Sequence, residues 1–303
     1  MFSIENFYYF CNIKLKQQKM VINGKSIYTP KGAALEYGRI GCNFYTGCPH
    51  NCEYCYLKRG ITGKALGGTV VQLKKMLKDP DTAITTFRKE LWKYIDECRK
   101  HGIFFSFTCD PLIAETRMLT QQAVLSCRNA DVPVWLLTKD AAFIHDEAFM
   151  RPLLDMHKML RRSIHFGFTL TGRDDMEPMA ARNYERIMTM GELHEQNFPT
   201  WASIEPVIDW TSSFNVIQNS LPYCDHYKIG LRSGVKKDYY DWRTFEENLV
   251  GLVDMIVAAG KTVYLKESVK NYVVKELGFD VKRYGNLLLK TVDLNGEPYR
   301  KDS

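Results

Sequence analysis

Cys48, Cys52 and Cys55 lie in the run Gly47-Cys48-Pro49-His50-Asn51-Cys52-Glu53-Tyr54-Cys55-Tyr56, a C-x3-C-x2-C spacing. Three thiolates this close suit a soft metal. Structural zinc asks for four closed ligands, commonly in two separated pairs. No second pair follows here; His50, wedged between two cysteines, and Cys42, in the preceding strand, are the remaining choices for a fourth ligand. An iron–sulfur cluster held by three cysteines leaves one iron without a protein ligand, open to a nitrogen and oxygen chelate from a small molecule.

The rest of the composition sets bounds. The chain has 303 residues, 9 cysteines, 45% apolar and 25% charged residues, and a formal charge of +6. That is the make-up of a globular protein, and it excludes a disordered tail, a collagen-like chain and a disulfide-stapled mini-protein. No apolar run reaches the roughly 18 residues of a membrane span, and the N-terminus has no basic region before its apolar stretch. The expectation is therefore a cytoplasmic protein without signal peptide, in which clustered cysteines mean metal or catalysis. Met20 is a second plausible start. Segment 57–78 carries Lys58, Arg59, Lys64, Lys74, Lys75 and Lys78 and no acidic residue. It reads as a solvated face or as a phosphate-contacting surface for nucleic acid.

These residues need a scaffold, and the hydrophobic pattern supplies one. Strands are expected at 39–45, 103–108, 132–138, 164–170, 200–205, 226–229 and 263–266. Helices are expected at 81–100, 116–130, 146–160, 180–197, 212–220 and 243–259. Strand–helix alternation argues for parallel pairing, and six such units for an α/β fold of full or partial (β/α) barrel type. The boundaries expected are an N-terminal extension 1–26, a barrel 27–268 and a C-terminal extension 269–303 packed on it. In such barrels chemistry sits at the C-terminal strand ends. Here those ends carry Thr108, Cys109 and Asp110, then Lys139, Thr169, Thr171, Glu205, Lys228, Lys266 and Glu267.

Tyr54 completes a C-x3-C-x-aromatic-C pattern, and with it the loop resembles that of the radical S-adenosylmethionine (SAM) enzymes. From about Ile27 to Ser268 the chain resembles their spore photoproduct lyase-like branch, especially its uncharacterised bacterial and phage members. Ile27-Tyr28-Thr29-Pro30-Lys31-Gly32, Thr108-Cys109-Asp110-Pro111, Leu137-Thr138-Lys139, Ser203-Ile204-Glu205-Pro206-Val207-Ile208-Asp209, Tyr227-Lys228-Ile229-Gly230 and Leu265-Lys266-Glu267-Ser268 carry the likeness in the family's order.

The resemblance implies a partial (β/α)6 TIM-like barrel with a [4Fe-4S] cluster on Cys48, Cys52 and Cys55, and S-adenosyl-L-methionine at the open iron. It implies an external flavodoxin- or ferredoxin-type electron donor and a 5′-deoxyadenosyl radical that takes hydrogen from an unidentified substrate, with nucleic acid or a nucleotide as one class. By the same resemblance Tyr54 lies near the adenine, and Thr108, Cys109 and Asp110 meet the methionine amino group. Lys139 pairs with the SAM carboxylate, and Thr169 and Thr171 serve the carboxylate or ribose. Glu205 meets the ribose or substrate; Cys109, Glu205 and Lys266 are the catalytic candidates.

One departure stands out. Where the lyase proper has a cysteine hydrogen donor, this chain has Phe107, which cannot return a hydrogen atom; Cys109 is the surrogate. Cys98 and Cys127 read as core, and Cys11, Cys42 and Cys224 hold no second cluster. The rival class is a non-enzymatic nucleic-acid-binding protein with a structural metal.

Overall fold

The computed structural model describes residues 21–59, 63, 66–236 and 238–273. Most of the expected N-terminal extension, the C-terminal extension beyond 273, Cys11 and Lys64 lie outside the described residues. Strands β1 (Ile27–Tyr28), β2 (Gly41–Cys42), β3 (Tyr45–Thr46) and β4 (Gln72–Leu73) open the fold. Helices α1 (Pro80–Lys93) and α2 (Ile95–His101) lead to β5 (Ile103–Phe105). Then follow α3 (Arg117–Asn129), β6 (Val134–Thr138), α4 (Glu147–Leu154), α5 (Lys158–Arg161), β7 (Ile164–Thr169), α6 (Asn183–Glu195) and β8 (Thr200–Val207). Helix α7 (Trp210–Ser220), β9 (His226–Leu231), α8 (Trp242–Ala258), β10 (Thr262–Leu265) and α9 (Glu267–Asn271) complete it.

The result is a mixed α/β fold around an 8-stranded sheet of order β1-β2-β5-β6-β7-β8-β9-β10. Every ladder from β2 to β10 is parallel, and only β1 runs antiparallel to β2. Helix-length connections between consecutive strands are what parallel pairing requires. Among the described residues β1 and β10 are the sheet's two edges, and no ladder joins them. No helix of the described residues is long and apolar enough to cross a membrane.

Four expected elements differ. The helix read at 146–160 divides into α4 and α5, with residues 155–157 between them. The single strand read at 39–45 divides into β2 and β3, because Tyr45 and Thr46 leave the main sheet to pair with β4. The strand read to Thr108 ends at Phe105. Beyond it, side chains replace the ladder: Asn43 Oδ1 accepts from Phe107 N at 2.7 Å and Thr108 Oγ1 donates to Tyr45 O at 2.6 Å. The helix read at 81–100 breaks at Tyr94, whose φ of -117° and ψ of 28° interrupt it. Asp79 caps α1 by accepting from Thr82 N, with Pro80 in the first turn where its missing N–H costs nothing.

The sheet is curved. Phe104 on β5 and Trp201 on β8 are three strand spacings apart, about 14 Å on a flat sheet, yet their rings are 6.3 Å apart. Trp201 leans across β7 at Gly167, where a Cβ would lie 2.1 Å from the indole. The concave floor is thus aromatic: Phe104, Trp135 and Trp201 are buried there together. The helices bury their apolar stripes on the other face, with Phe87 and Leu91 of α1 and Ala123 and Val124 of α3 almost fully buried. Cys98 and Cys127 are in that core with no exposure, as read from the sequence, and Cys42 and Cys224 are equally buried.

Candidate active site

The C-terminal strand ends and the cysteine loop enclose a cavity of about 620 Å³. Cys48, Cys52 and Cys55 all line it, and so do Tyr54, Cys109, Asp110, Lys139, Thr169, Glu205 and Lys266. Residues far apart in sequence therefore meet around one space of the size that small-molecule ligands fill. Three of the strand-end residues read as candidates do not line it. Lys228 is fully buried, with its ammonium donating to Glu36 O. Thr108 is buried with its hydroxyl spent on Tyr45 O. Thr171 has no exposure, and its Oγ1 accepts from Arg173 N at 3.2 Å within its own turn.

The cysteine loop is held in place by the segment between β7 and α6. Glu53 N donates to Met176 O at 3.0 Å, and Met179 N donates to His50 O at 3.3 Å. The Tyr54 hydroxyl donates to Glu177 Oε1. Glu177 in turn accepts from Arg186 at 2.7 Å, and both side chains have no exposure. Arg186 also donates to Ala181 O and Thr169 O, at 2.8 and 2.7 Å. A sealed ion pair is tolerable when its hydrogen bonds are met in this way. Burial, and then Glu177, raise the Tyr54 phenol well above its ordinary pKa, so it stays a donor.

Burial pushes the Cys48 thiol up to about 11, with Asp110 adding to the effect, and burial also raises Cys52. Among the described residues no group of three or more His, Cys, Asp or Glu side chains is placed to hold a single metal ion. The Lys139 ammonium is 5.6 Å from the Tyr54 ring centroid. Burial works to lower its pKa, but Cys52 and Glu177 more than offset that, and the net shift is upward.

Asp110 is buried and saturated. Its carboxylate takes His50 Nε2 at 2.7 Å, Leu112 N at 2.9 Å, Thr138 Oγ1 at 2.7 and 2.9 Å, and Lys139 N at 2.7 Å. Burial alone would raise its carboxyl, but the His50 contact and the backbone donors hold it below the ordinary value.

The opposite end of the cavity comes from β8, β10 and the segment before β2. Glu205 Oε2 accepts from Lys266 Nζ at 2.6 Å and from the Tyr37 hydroxyl. Tyr37 also meets Ser203 Oγ at 2.9 Å, and Lys266 lies 3.7 Å from Glu36. Glu36 accepts from Glu267 N at 2.7 Å, so its side chain ties the segment between β1 and β2 to the start of α9. Glu205 lies flat over Gly230: a Cβ there would be 2.8 Å from its carboxyl carbon. Between the two ends Phe107 and Cys109 both line the cavity, with Phe107 stacked on Phe104 at 4.6 Å.

Glu36, Tyr37, Glu177 and Arg186 were not read as site residues. One signal existed: Arg186, Met190 and Leu193 share a helix face, and an arginine on an apolar face points to a buried partner. The basic segment 57–78 is mixed. Lys58 is engaged by Asn51, Arg59 reaches Ser233 O and Lys74 is half-buried 5.6 Å from the Tyr28 ring, while Lys75 and Lys78 are exposed. No protein-family model and no curated protein matches the chain.

Proposed function

We propose that the chain is a radical SAM enzyme of the spore photoproduct lyase-like branch, and that its curved parallel sheet is the partial (β/α) barrel of that family. One observation carries this reading. The three thiols of the C-x3-C-x2-C loop line the same cavity as Lys139, Thr169, Glu205 and Lys266, each at the C-terminal end of a parallel strand.

The residues fit the group. Three soft sulfur donors on one loop face a cavity with room for a small molecule beside them. A cubane cluster carries its thiolates on separate irons, so they need not converge on a point as ligands of one ion do. Cys48, Cys52 and Cys55 would hold the [4Fe-4S] cluster. When bound and reduced, the cluster with SAM supplies a 5′-deoxyadenosyl radical that abstracts hydrogen.

The chain's own residues do the rest. Lys139 offers a cation for the SAM carboxylate, and Tyr54 an aromatic face fixed by Glu177. Thr169 offers a hydroxyl at the end of β7. Glu205, pinned by Lys266 and Tyr37, offers a positioned acceptor for a ligand hydroxyl or amine. Phe104, Phe107 and Leu137 line the cavity with apolar surface and exclude water. Phe107 in the donor place argues against thymine-dimer repair, and Cys109 is the thiol nearest that place in sequence. The substrate is unidentified; nucleic acid reached through Lys75 and Lys78 is the partner class proposed, with an external one-electron donor.

Anaerobic reconstitution tests the reading. Wild-type protein is expected to bind iron and, with a reductant, to form 5′-deoxyadenosine from SAM; Cys52→Ala should lose both. Stoichiometric zinc without SAM binding would replace this reading with the metal-stabilised binding protein.

A further inference from the structure

The resemblance gives Asp110 to the methionine amino group of SAM. The geometry points elsewhere: we propose that Asp110 and His50 form a positioning bridge that locks the cysteine loop onto the end of β6. This rests on the proposed cofactor site for its meaning, though not for its geometry.

Both partners are buried, with side-chain exposures of 6% for His50 and 4% for Asp110. Their contact of 2.7 Å joins the cysteine loop to a segment 60 positions away. An ionised carboxylate has acceptors only, so His50 Nε2 carries the proton in this bond. The His50 carbonyl accepts from Met179 N at 3.3 Å. His50 is therefore held on both sides, by Asp110 and by the segment before α6.

On the Asp110 side the same carboxylate grips the β6 end. Thr138 donates to both oxygens, and the Lys139 backbone N–H donates to Oδ2, the atom that also takes His50. With Leu112 N also bound, four groups satisfy the carboxylate. It has no oxygen left to offer a ligand amine without giving up one of these bonds. One buried anion thus sets the distance between Cys48 and Cys52, which flank His50, and Lys139, whose backbone it holds. A shift of either segment moves thiols and ammonium relative to one another. Partners of this kind, behind the residues that touch a cofactor, typically change affinity about 10- to 100-fold when removed.

The test uses His50→Leu, Asp110→Asn, the double variant and His50→Gln, whose amide restores a donor near the Nε2 position. Hydrogen exchange on the apoprotein reads the bridge without any cofactor. His50→Leu and Asp110→Asn should each speed exchange in both the 47–56 and the 137–141 segments, and His50→Gln should stay near wild type. After anaerobic reconstitution, SAM binding should weaken about tenfold in each single variant and no further in the double, the signature of one shared interaction.

Two results would overturn the bridge. One is exchange that rises only in the segment carrying the substitution. The other is SAM binding lost in Asp110→Asn but unchanged in His50→Leu, which would return Asp110 to direct contact. If wild-type protein binds no iron or SAM, the proposed function falls while the exchange experiment still decides the bridge.

Discussion

Two ion pairs stand at the two ends of the cavity, and they differ in access to it. Arg186 and Glu177 have no exposure at all; every polar contact they make is to protein, and their visible effect is to hold Tyr54 and the cysteine loop. Lys266 is similarly buried at 3%, but its partner Glu205 is 25% exposed and lines the cavity. The first pair fixes a wall. The second presents a carboxylate whose Oε2 is committed while its neighbouring surface remains open to a ligand. Sealing one pair and opening the other separates support from recognition, because a buried charge is costly to disturb whereas a cavity-facing one can exchange water for a ligand group.

The largest expected effect breaks the sealed pair. Arg186→Met leaves Glu177 buried without its counter-ion, and urea unfolding should show a loss of about 3–5 kcal/mol. Lys266→Met should cost less, because Glu205 can draw on solvent in the cavity. Equal losses would erase the distinction between the two ends.

The floor beneath both ends gives the next effect. Burial lowers His165 to about 4 and His226 to about 3, so both are neutral in the folded protein at neutral pH. Lys228 also faces His226, and Asp225 partly offsets the burial of His165. Their folded pKa values lie below the unfolded value near 6.5. The folded state therefore loses stability as pH falls through 6.5 towards those values, by about 2 kcal/mol per group between pH 6.5 and 5. The midpoint of thermal unfolding should drop over that range, and His226→Gln should flatten the drop. A pH-independent midpoint would contradict the burial of these rings.

A smaller change sharpens the role of the open pair. In Gly230→Ala the new Cβ meets the Glu205 carboxyl at 2.8–2.9 Å. The flexible end of Glu205 can yield, so stability should change by about 1 kcal/mol or less. Its carboxylate leaves its pose, however, and 5′-deoxyadenosine formation should fall with iron loading unchanged. Unchanged turnover would mean that the pose of Glu205 is irrelevant to the chemistry. The smallest stability effect is at the surface: Lys75→Ala with Lys78→Ala should leave unfolding within about 0.5 kcal/mol of wild type. If the thiol end faces nucleic acid, filter binding should show the salt slope reduced by about 1 per lysine; an unchanged slope removes that partner.

The alternation of strands and helices was legible because apolar periodicity records which face of each element is buried. The breaks in it were not. Tyr45 and Thr46 have the side chains of a continuing strand, and their departure to pair with Gln72 and Leu73 is a choice between two possible neighbours. Lys139, Thr169, Glu205 and Lys266 were legible as polar residues closing apolar strands, and all line the cavity. Thr108 and Thr171 satisfied the same rule and turned away, because a threonine hydroxyl is readily spent on a nearby backbone group.

The sequence by itself determined the cysteine loop. Its three thiols lie on one short segment, so local spacing alone sets them along one cavity. The α/β class was also written in the chain, through repeated local patterns. Only the tertiary structure decided what surrounds the thiols. Tyr37 and Glu205 are 168 positions apart, Glu177 and Tyr54 are 123, and Asp110 and His50 are 60. Each of these contacts joins segments that the folded sheet brings side by side, and nothing in the local sequence of either partner specifies the other.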